Sequence, residues 1–257
     1  MNGAPRRPGP ARHAAPPPFI EPWEGLLLVD KPSGMTSHDV VDAIRRRFGF
    51  RKVGHGGTLD PMATGLLVIL LGRGTKLSDR VMASDKTYEG TLKLGVTTDT
   101  EDVDGQVLAE APWEHVTREA VEREMAARVG DLMQTPPMVS AVKKQGVPLY
   151  KLARKGQTVE REPRLIHLYE FRLLAFEPPR ARFVLRCTKG TYVRTLCADI
   201  GRALGCGAFL ESLRRTRSGA LAVEDAAPLD DILRMDVDRV AERVRPLHGF
   251  LAEGSPG

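Results

Sequence analysis

A glycine-rich loop that runs straight into a long apolar segment constrains the fold of this chain more than any other feature. The loop, Gly54-His55-Gly56-Gly57-Thr58-Leu59-Asp60-Pro61, has three glycines within four positions, so its backbone can adopt unusual dihedrals and another molecule can approach it closely. Behind it, Leu66 to Leu71 are all apolar, a run with the length of a buried strand or of a buried helical segment. The loop is therefore joined to an element of the core.

Asp60 and Pro61 end this loop. Pro61 suits the first turn of a helix and restricts the residue before it to extended backbone, which predicts that Asp60 lies at a loop-to-helix junction. Two interpretations of Asp60 follow from the local pattern: it caps the helix, or it is presented to a ligand. The local pattern by itself favours capping.

Strand patterns occur both singly and in pairs. Residues 25–30 predict a short buried strand, and Tyr88–Leu94 alternates between apolar and polar residues, as a half-buried strand does. Residues 165–175 and 182–188 predict two strands joined by the turn Glu177-Pro178-Pro179. Single and paired strands with helices scattered between them predict a mixed α+β domain rather than a doubly wound one.

Helical periodicity is clearest in three places. Val40, Ile44 and Phe48 recur every four residues, and Thr36 or Ser37 can cap the start of their helix. Residues 117–129 form an amphipathic pattern closed by Gly130. A third apolar stripe runs from Val193 to Leu204 and predicts a helix that ends at Gly205.

Composition bounds the class of protein. With 257 residues and 42% hydrophobic content, the chain can form one large domain, or one domain and a small appendage. No apolar stretch is long enough for a membrane span, the N-terminus lacks the apolar core of a secretion signal, and the three spaced cysteines suit reduced cytosolic thiols. A formal net charge of +5 suits an RNA partner without establishing one.

Three other features are candidates for chemistry. Tyr88 lies on the apolar face of its strand, where a tyrosine is most often a core residue. Arg194 lies in the first turn of its helix, where a cation opposes the helix dipole, so it is either matched to an anionic partner or solvated. The segment Leu213-Arg214-Arg215-Thr216-Arg217 is either a phosphate-contacting surface or a solvated charge run. The motifs of P-loop, dinucleotide-binding, zinc-protease and serine-hydrolase sites are missing.

Five ordered blocks resemble the TruB family of tRNA pseudouridine synthases. They are GLLLVDKPSGMTSHDVV (25–41), KVGHGGTLDPMATGLLVILLGRGTKLS (52–78), DKTYEGTLKLGVTTDTEDVDG (85–105), QTPPMVSAVKKQGVPLYKLARKG (134–156) and CTKGTYVRTLCADIGRALGCGAFLESLRRTRSG (187–219). The resemblance implies a pseudouridine-synthase fold with a mostly antiparallel sheet flanked by helices and loops. It also implies isomerisation of the uridine at position 55 in the T loop of tRNA, with no metal and no cofactor.

The resemblance also assigns roles to single residues, and it reverses the preference for capping at Asp60. Asp60 matches the catalytic aspartate and Arg194 the arginine that pairs with it, which would favour the charged carboxylate. Tyr88 matches the tyrosine that stacks on the target base and is a candidate for proton transfer. The remaining matches are His55, which helps to hold the extruded nucleotide, Tyr192 and Leu213, which line the uridine pocket, and Lys76, a basic residue near the site. The atom that Asp60 engages stays open.

The domain organisation predicted from these observations has three parts. Residues 1–22 form a disordered Pro/Arg-rich tail, 23–220 the catalytic domain, and 221–257 a short C-terminal helical extension. About a dozen residues follow Arg245, too few for the RNA-binding PUA domain that many members of the family carry.

The partners expected of such a chain follow from the same resemblance. We expect a cytoplasmic monomer that binds the T arm of tRNA without a guide RNA, away from membranes. Lys143, Lys144, Lys151, Arg154 and the 214–217 run are expected to contact phosphates. Two alternatives are a tRNA-folding module whose catalysis is dispensable, and the catalytic subunit of a guide-RNA particle.

Overall fold

The apolar run of residues 66–71 forms a strand that is buried on both faces. The computed structural model describes residues 23–138, 140, 143–144, 147–148 and 159–247, and the run lies within strand β3 (Thr64–Leu71). Its odd-numbered leucines and Ile69 join the main hydrophobic cluster, whereas Leu66, Val68 and Leu70 join a second cluster on the opposite face. A strand covered on both sides shows no polar face to water, which explains the unbroken run.

The prediction of a helix after Pro61 was wrong. Pro61 lies instead in a turn in which the Ala63 N–H donates to the carbonyl oxygen of Asp60 (3.1 Å), and β3 begins at Thr64. Gly65 has a φ of +97°, outside the helical region, and a Cβ there would lie 2.3 Å from the Arg215 carbonyl oxygen. Because no helix starts at this point, Asp60 does not act as a cap.

Strands and helices are interspersed along the described residues. The strands are β1 (Gly25–Lys31), β2 (Val53–His55), β3 (Thr64–Leu71), β4 (Lys86–Leu94), β5 (Val96–Thr98), β6 (Val107–Glu110), β7 (Gly130–Gln134), β8 (Lys143–Lys144), β9 (Val147–Pro148), β10 (Arg164–Glu177), β11 (Arg180–Cys187), β12 (Ala208–Ser218), β13 (Leu221–Ala222), β14 (Ala227–Pro228) and β15 (Arg245–Pro246). The α-helices are α1 (Ser37–Phe48), α2 (Ser78–Ala83), α3 (Arg118–Ala126), α4 (Val193–Ala203), α5 (Leu229–Arg234) and α6 (Val237–Arg243). Two 3-10 helices cover Gly72–Leu77 and Val223–Asp225.

One large sheet organises these elements. Its strand order is β14-β1-β3-β12-β4-β11-β10-β7, with β2 and β15 pairing at one end and β13 beside β12. Within the described residues, the named strand pairs are antiparallel except β1 with β14 and β3 with β12. The predicted mixed α+β class with a mostly antiparallel sheet is confirmed.

The predicted helices pack onto one face of this sheet. Thr36, one of the two residues expected to cap α1, is its N-cap and forms a capping box with Asp39, and Val40 and Ile44 are fully buried. α4 packs against β12 and α3 against β10. β4 starts two residues before Tyr88, so the strand is longer than its alternation suggested.

The C-terminal elements return to the first strand. β14 and β15 both pair with β1, and Leu229, Ile232 and Val240 of α5 and α6 belong to the main cluster. The tail predicted for residues 1–22 lies outside the described residues, as do Lys151 and Arg154. Among the helices of the described segments, none is long and apolar enough to cross a membrane.

Candidate active site

Asp60 lies in a loop whose carbonyl groups are held by side chains from distant parts of the chain. This segment, residues 56–62, is called the Asp60 loop below. The buried guanidinium of Arg215 donates to the carbonyl oxygens of Gly57 (3.1 Å) and Thr58 (3.3 Å), and its Nε donates to that of Leu66 in β3 (2.7 Å). The first half of the loop is thereby tied to β12.

The second half of the loop is tied to β1 and α1. The Ser37 hydroxyl donates to the Leu59 carbonyl oxygen (3.2 Å) and accepts from the Leu59 N–H (2.8 Å). Lys31 Nζ donates to the carbonyl oxygen of Pro61 (3.1 Å) and to that of Met35 (2.6 Å). Because buried polar groups are costly when unpaired, these contacts leave the loop little freedom to move.

Two glycines of the loop are required by its shape. A Cβ on Gly56 would lie 2.2 Å from Val81 Cγ1, and Gly57 has a φ of +128°, which L side chains rarely adopt. Gly54 differs, because a Cβ there would make only an ordinary contact at 3.7 Å. The glycine cluster thus serves close packing and backbone conformation at positions 56 and 57.

A buried arginine joins Asp60 to a second aspartate. Arg194 Nη1 lies 3.7 Å from Asp60 Oδ2 and 3.1 Å from Asp102 Oδ2. The Arg194 side chain is 4% exposed and that of Asp102 is 5% exposed, whereas that of Asp60 is 38% exposed. The first turn of α4 thus places a desolvated cation beside a carboxylate that opens to solvent.

The surroundings of Asp60 raise its pKa. Burial among protein atoms is the largest cause, and Asp102 and Asp104 add repulsion, while Arg194 and Lys31 oppose the change. Arg194 therefore acts in the expected direction, but its attraction is shared with Asp102 and does not outweigh burial. The carboxylate keeps access to solvent and gains its charge at higher pH than an ordinary aspartate.

Tyr88 faces the same region from β4. It pairs in register with Leu185 on one side and with Arg215 on the other. Burial raises the pKa of Tyr88 to about 12, while the charge and a hydrogen bond of Arg215 act in the opposite sense. The phenol is therefore neutral at physiological pH and presents a ring and a hydroxyl near the Asp60 loop.

Tyr192 is fixed through its backbone. The buried Gln134 at the end of β7 accepts from the Tyr192 N–H (2.8 Å) and donates to the Tyr192 carbonyl oxygen (3.0 Å). The guanidinium carbon of Arg194 lies 5.8 Å from the centroid of the Tyr192 ring. Tyr192 is the N-cap residue of α4 and a neighbour of the ion pair between Arg194 and Asp60.

The other predicted site residues differ in how close they lie to the Asp60 loop. His55 in β2 and Leu213 in β12 both lie on the face of the sheet that carries the main cluster. Burial lowers the pKa of His55, so its imidazole is neutral. Lys76 is exposed on the 3-10 helix that follows the far end of β3, and none of the described contacts of the Asp60 cluster involves it.

The arginine run of β12 does not form one surface. Arg215 is buried, and Arg214 makes a bidentate ion pair with Asp30 of β1 (2.9 and 2.7 Å). Arg217 is exposed, and the side chain of Arg214 also reaches solvent beside its ion pair. A strand alternates its side chains between two faces, so three arginines within four positions cannot all face one phosphate backbone.

Sequence reasoning missed several residues of this site. Asp102, Lys31 and Gln134 lie within the blocks that resemble the family, but no local pattern distinguishes them from solvated polar residues. Their burial is what reveals them, since all three residues are buried. A surface groove of about 460 Å³ lies at the Leu94 end of β4, away from Tyr88, and contains none of these residues.

The Ser37 contact gives a testable stability effect. Replacing Ser37 with Ala removes a buried hydroxyl and leaves both polar groups of Leu59 unpaired, so the free energy of unfolding should fall by about 1–3 kcal/mol. Urea denaturation followed by circular dichroism measures it. Ser33→Ala is the matched control, because Ser33 is an exposed residue whose hydroxyl donates to one carbonyl oxygen, that of Met62. Equal losses in the two variants would contradict the role given to Ser37.

Two family models match the chain. The model described as TruB family pseudouridylate synthase (N terminal domain) covers residues 45–193, and that described as tRNA pseudouridylate synthase B C-terminal domain covers 194–251. The boundary falls at the start of α4, so Asp60 and Tyr88 lie in the first match and Arg194 and Arg215 in the second. The described site is built from both segments.

Curated relatives and solved structures agree with these matches. The chain is 50% identical to the tRNA pseudouridine synthase B of Opitutus terrae over 225 residues, 88% of this chain and 93% of the relative. It is 53% identical to that of Syntrophotalea carbinolica over 208 residues, 81% of this chain and 68% of the relative. A crystal structure of a Cbf5-Nop10-Gar1 complex shares 28% identity with a TM-score of 0.69, covering 88% of this chain and 60% of that one. A structure of an H/ACA RNP bound to a substrate RNA shares 25% identity with a TM-score of 0.66, again spanning 60% of the solved chain.

Proposed function

The chain belongs to the TruB family of pseudouridylate synthases, and from that premise we propose that it converts uridine 55 in the T loop of tRNA to pseudouridine. The observation that carries the assignment of the site is the Asp60 carboxylate, open to solvent and 3.7 Å from the buried Arg194 guanidinium. Relatives named tRNA pseudouridine synthase B, about 50% identical over most of the chain, support a tRNA substrate.

The proposed reaction is an isomerisation in which a carboxylate takes part and the atomic composition of the nucleotide does not change. The bond between N1 of uracil and C1′ of ribose breaks, the base turns, and C5 bonds to C1′. C5 loses its hydrogen as a proton and N1 takes one up, so substrate and product are isomers. Asp60 can attack covalently, stabilise a cationic ribose or remove a proton, and each of these roles requires its ionised form.

The neighbours of Asp60 supply what this chemistry requires. Arg194 favours the charged carboxylate, and its own burial keeps it in one position. The target uridine must leave its stack, at a cost of a few kcal/mol. Stacking on an aromatic ring returns about 1–3 kcal/mol per base, and Tyr88 presents such a ring beside the Asp60 loop.

We also propose that the enzyme acts as a monomer in the cytoplasm, where it recognises the T arm directly. The solved H/ACA structures make a guide-RNA particle the specific alternative, since their chains share this fold at 25–28% identity. The relatives named as tRNA enzymes are about 50% identical, which favours direct recognition.

An isolated T-arm hairpin distinguishes the two. The purified protein should form pseudouridine in the hairpin at a rate within about tenfold of that on whole tRNA, because Tyr88, Asp60 and Arg194 address one extruded nucleotide. Primer extension after carbodiimide treatment locates the product. A hairpin with cytidine at the target position is the control. Activity that appears only after a second RNA is added would support the guide-RNA alternative.

A further inference from the structure

The large sheet has a narrow seam directly behind the Asp60 loop. β3 and β12 are joined in register at just two positions, Arg214 with Thr64 and Arg215 with Gly65. By contrast, β4 pairs with β12 along most of its length. The sheet therefore consists of a β14-β1-β3 part and a β12-β4-β11-β10-β7 part, connected through a short contact.

The candidate residues come from both sides of this seam. Asp60 and His55 belong to the β2–β3 side, since the Asp60 loop connects those two strands. Tyr88 and Leu213 belong to the β4–β12 side, and Arg194 lies on α4, which packs against β12. A shift of one part against the other would move Asp60 relative to the ring of Tyr88.

The Arg215 side chain crosses the seam. It rises from β12, in register with Tyr88, and donates to Leu66 in β3 and to Gly57 and Thr58 in the Asp60 loop. It is 2% exposed, and among the described residues no carboxylate forms an ion pair with it. A buried cation held mainly by carbonyl oxygens is costly compared with an apolar side chain of similar volume, so packing alone does not explain it.

We propose that Arg215 is a positioning residue, which sets the distance between Asp60 and Tyr88 by fixing the Asp60 loop of one half-sheet to β12 of the other. The three donors of its planar guanidinium point to three separate carbonyl oxygens, a pattern that an ammonium group cannot reproduce from one point. This inference rests on the proposed function, because the distance matters only if the two residues act on one nucleotide. Arg215 is 2% exposed, so the role proposed for it is to position other residues and not to touch the substrate.

The test compares chemistry with binding in Arg215→Met and Arg215→Lys. We expect the single-turnover rate of pseudouridine formation to fall by about 100-fold in Arg215→Met, since a misplacement of about 1 Å has that effect. The dissociation constant for tRNA should change by less than about threefold. Arg215→Lys keeps the charge and should recover only a small part of the rate. The control Arg180→Met removes a guanidinium that also makes two hydrogen bonds, to Glu211 in β12, and makes no described contact with the Asp60 loop. This variant should keep the parent rate.

Hydrogen exchange supplies a readout that does not depend on activity. The amides of residues 57–60 and 62–64 should exchange at least about tenfold faster in Arg215→Met than in the parent protein, and at the parent rate in Arg180→Met. Unchanged exchange in this segment would overturn the inference even if tRNA were not the substrate. A parent protein inactive on tRNA would instead contradict the proposed function. If the parent protein is active, two results would overturn the positioning role. One is a rate of Arg215→Met within threefold of the parent rate. The other is a loss of rate and of tRNA affinity that both follow the loss of folded protein.

Discussion

Replacing Asp60 with Asn should lower the single-turnover rate of pseudouridine formation by at least about 10³-fold, because the amide keeps the shape of the carboxylate but cannot carry its charge. Covalent attack, charge stabilisation and proton removal all require that charge. Affinity for tRNA should change by less than about threefold, since phosphate contacts and stacking do not involve this oxygen. Release of tritium from uridine labelled at C5 measures the rate, and filter binding measures the affinity.

The same variant separates catalysis from an RNA-folding function. Asp42→Asn is the matched control, because Asp42 is on α1 and its ion pair with Arg45 is remote from the Asp60 loop. A tRNA-folding module with dispensable catalysis would keep its effect on tRNA structure in Asp60→Asn. Undiminished pseudouridine formation in Asp60→Asn would remove Asp60 from the mechanism.

Replacing Arg194 with Gln should have the second largest effect, about 10²–10³-fold on the rate at pH 7. Arg194 lowers the pKa of Asp60 against burial and the neighbouring acids, so its loss raises that pKa further. The activity depends on the ionised carboxylate and therefore falls as the pH drops through the pKa of Asp60. The acid limb of the pH–rate profile should move to higher pH in Arg194→Gln, and part of the lost rate should return as the pH is raised.

The stability of the Arg194 variants needs its own control. Asp102 is 5% exposed, and breaking its ion pair with Arg194 leaves a buried charge, which destabilises by about 3–5 kcal/mol. The double variant Arg194→Gln with Asp102→Asn removes both charges and should recover much of the stability but little of the rate. Arg202→Gln changes an exposed arginine of the same helix and should leave both unchanged. A pH–rate profile that stays in place in Arg194→Gln would contradict the electrostatic account.

Local patterns in the sequence predicted the regular elements well. The N-terminal cap of α1, the apolar stripe of α4 and the β10–β11 pair all depend on neighbouring residues, and all are present. The prediction of a helix after Pro61 was wrong because the preference of proline for the first turn of a helix concerns only the proline position. Gly65 must instead pass close to the Arg215 backbone in a neighbouring strand. That constraint comes from a contact about 150 residues away in sequence, which no local rule contains.

The site shows the same division more sharply. Nothing near Asp60 in sequence brings it close to Arg194, and local pattern alone made Asp60 a helix cap. The family resemblance identified Asp60, Tyr88 and Arg194 as candidate catalytic residues. It did not indicate that Arg194 also pairs with Asp102, or that Arg215 is buried rather than available to phosphates. Both facts depend on how the strands are registered.

The cations that hold the Asp60 loop have a consequence for how the protein responds to ionic strength. Lys31 and Arg215 are buried and donate to carbonyl oxygens. Dissolved salt screens exposed charges over about 8 Å at physiological ionic strength, but it screens buried charges such as these much less. Contacts between exposed basic side chains and tRNA phosphates, in contrast, weaken steeply as salt displaces them. Salt should therefore control how often the enzyme engages a tRNA while leaving the geometry of the engaged site unchanged. Binding of tRNA thus depends on exposed basic side chains, whereas conversion of the uridine depends on the buried cations that hold the Asp60 loop.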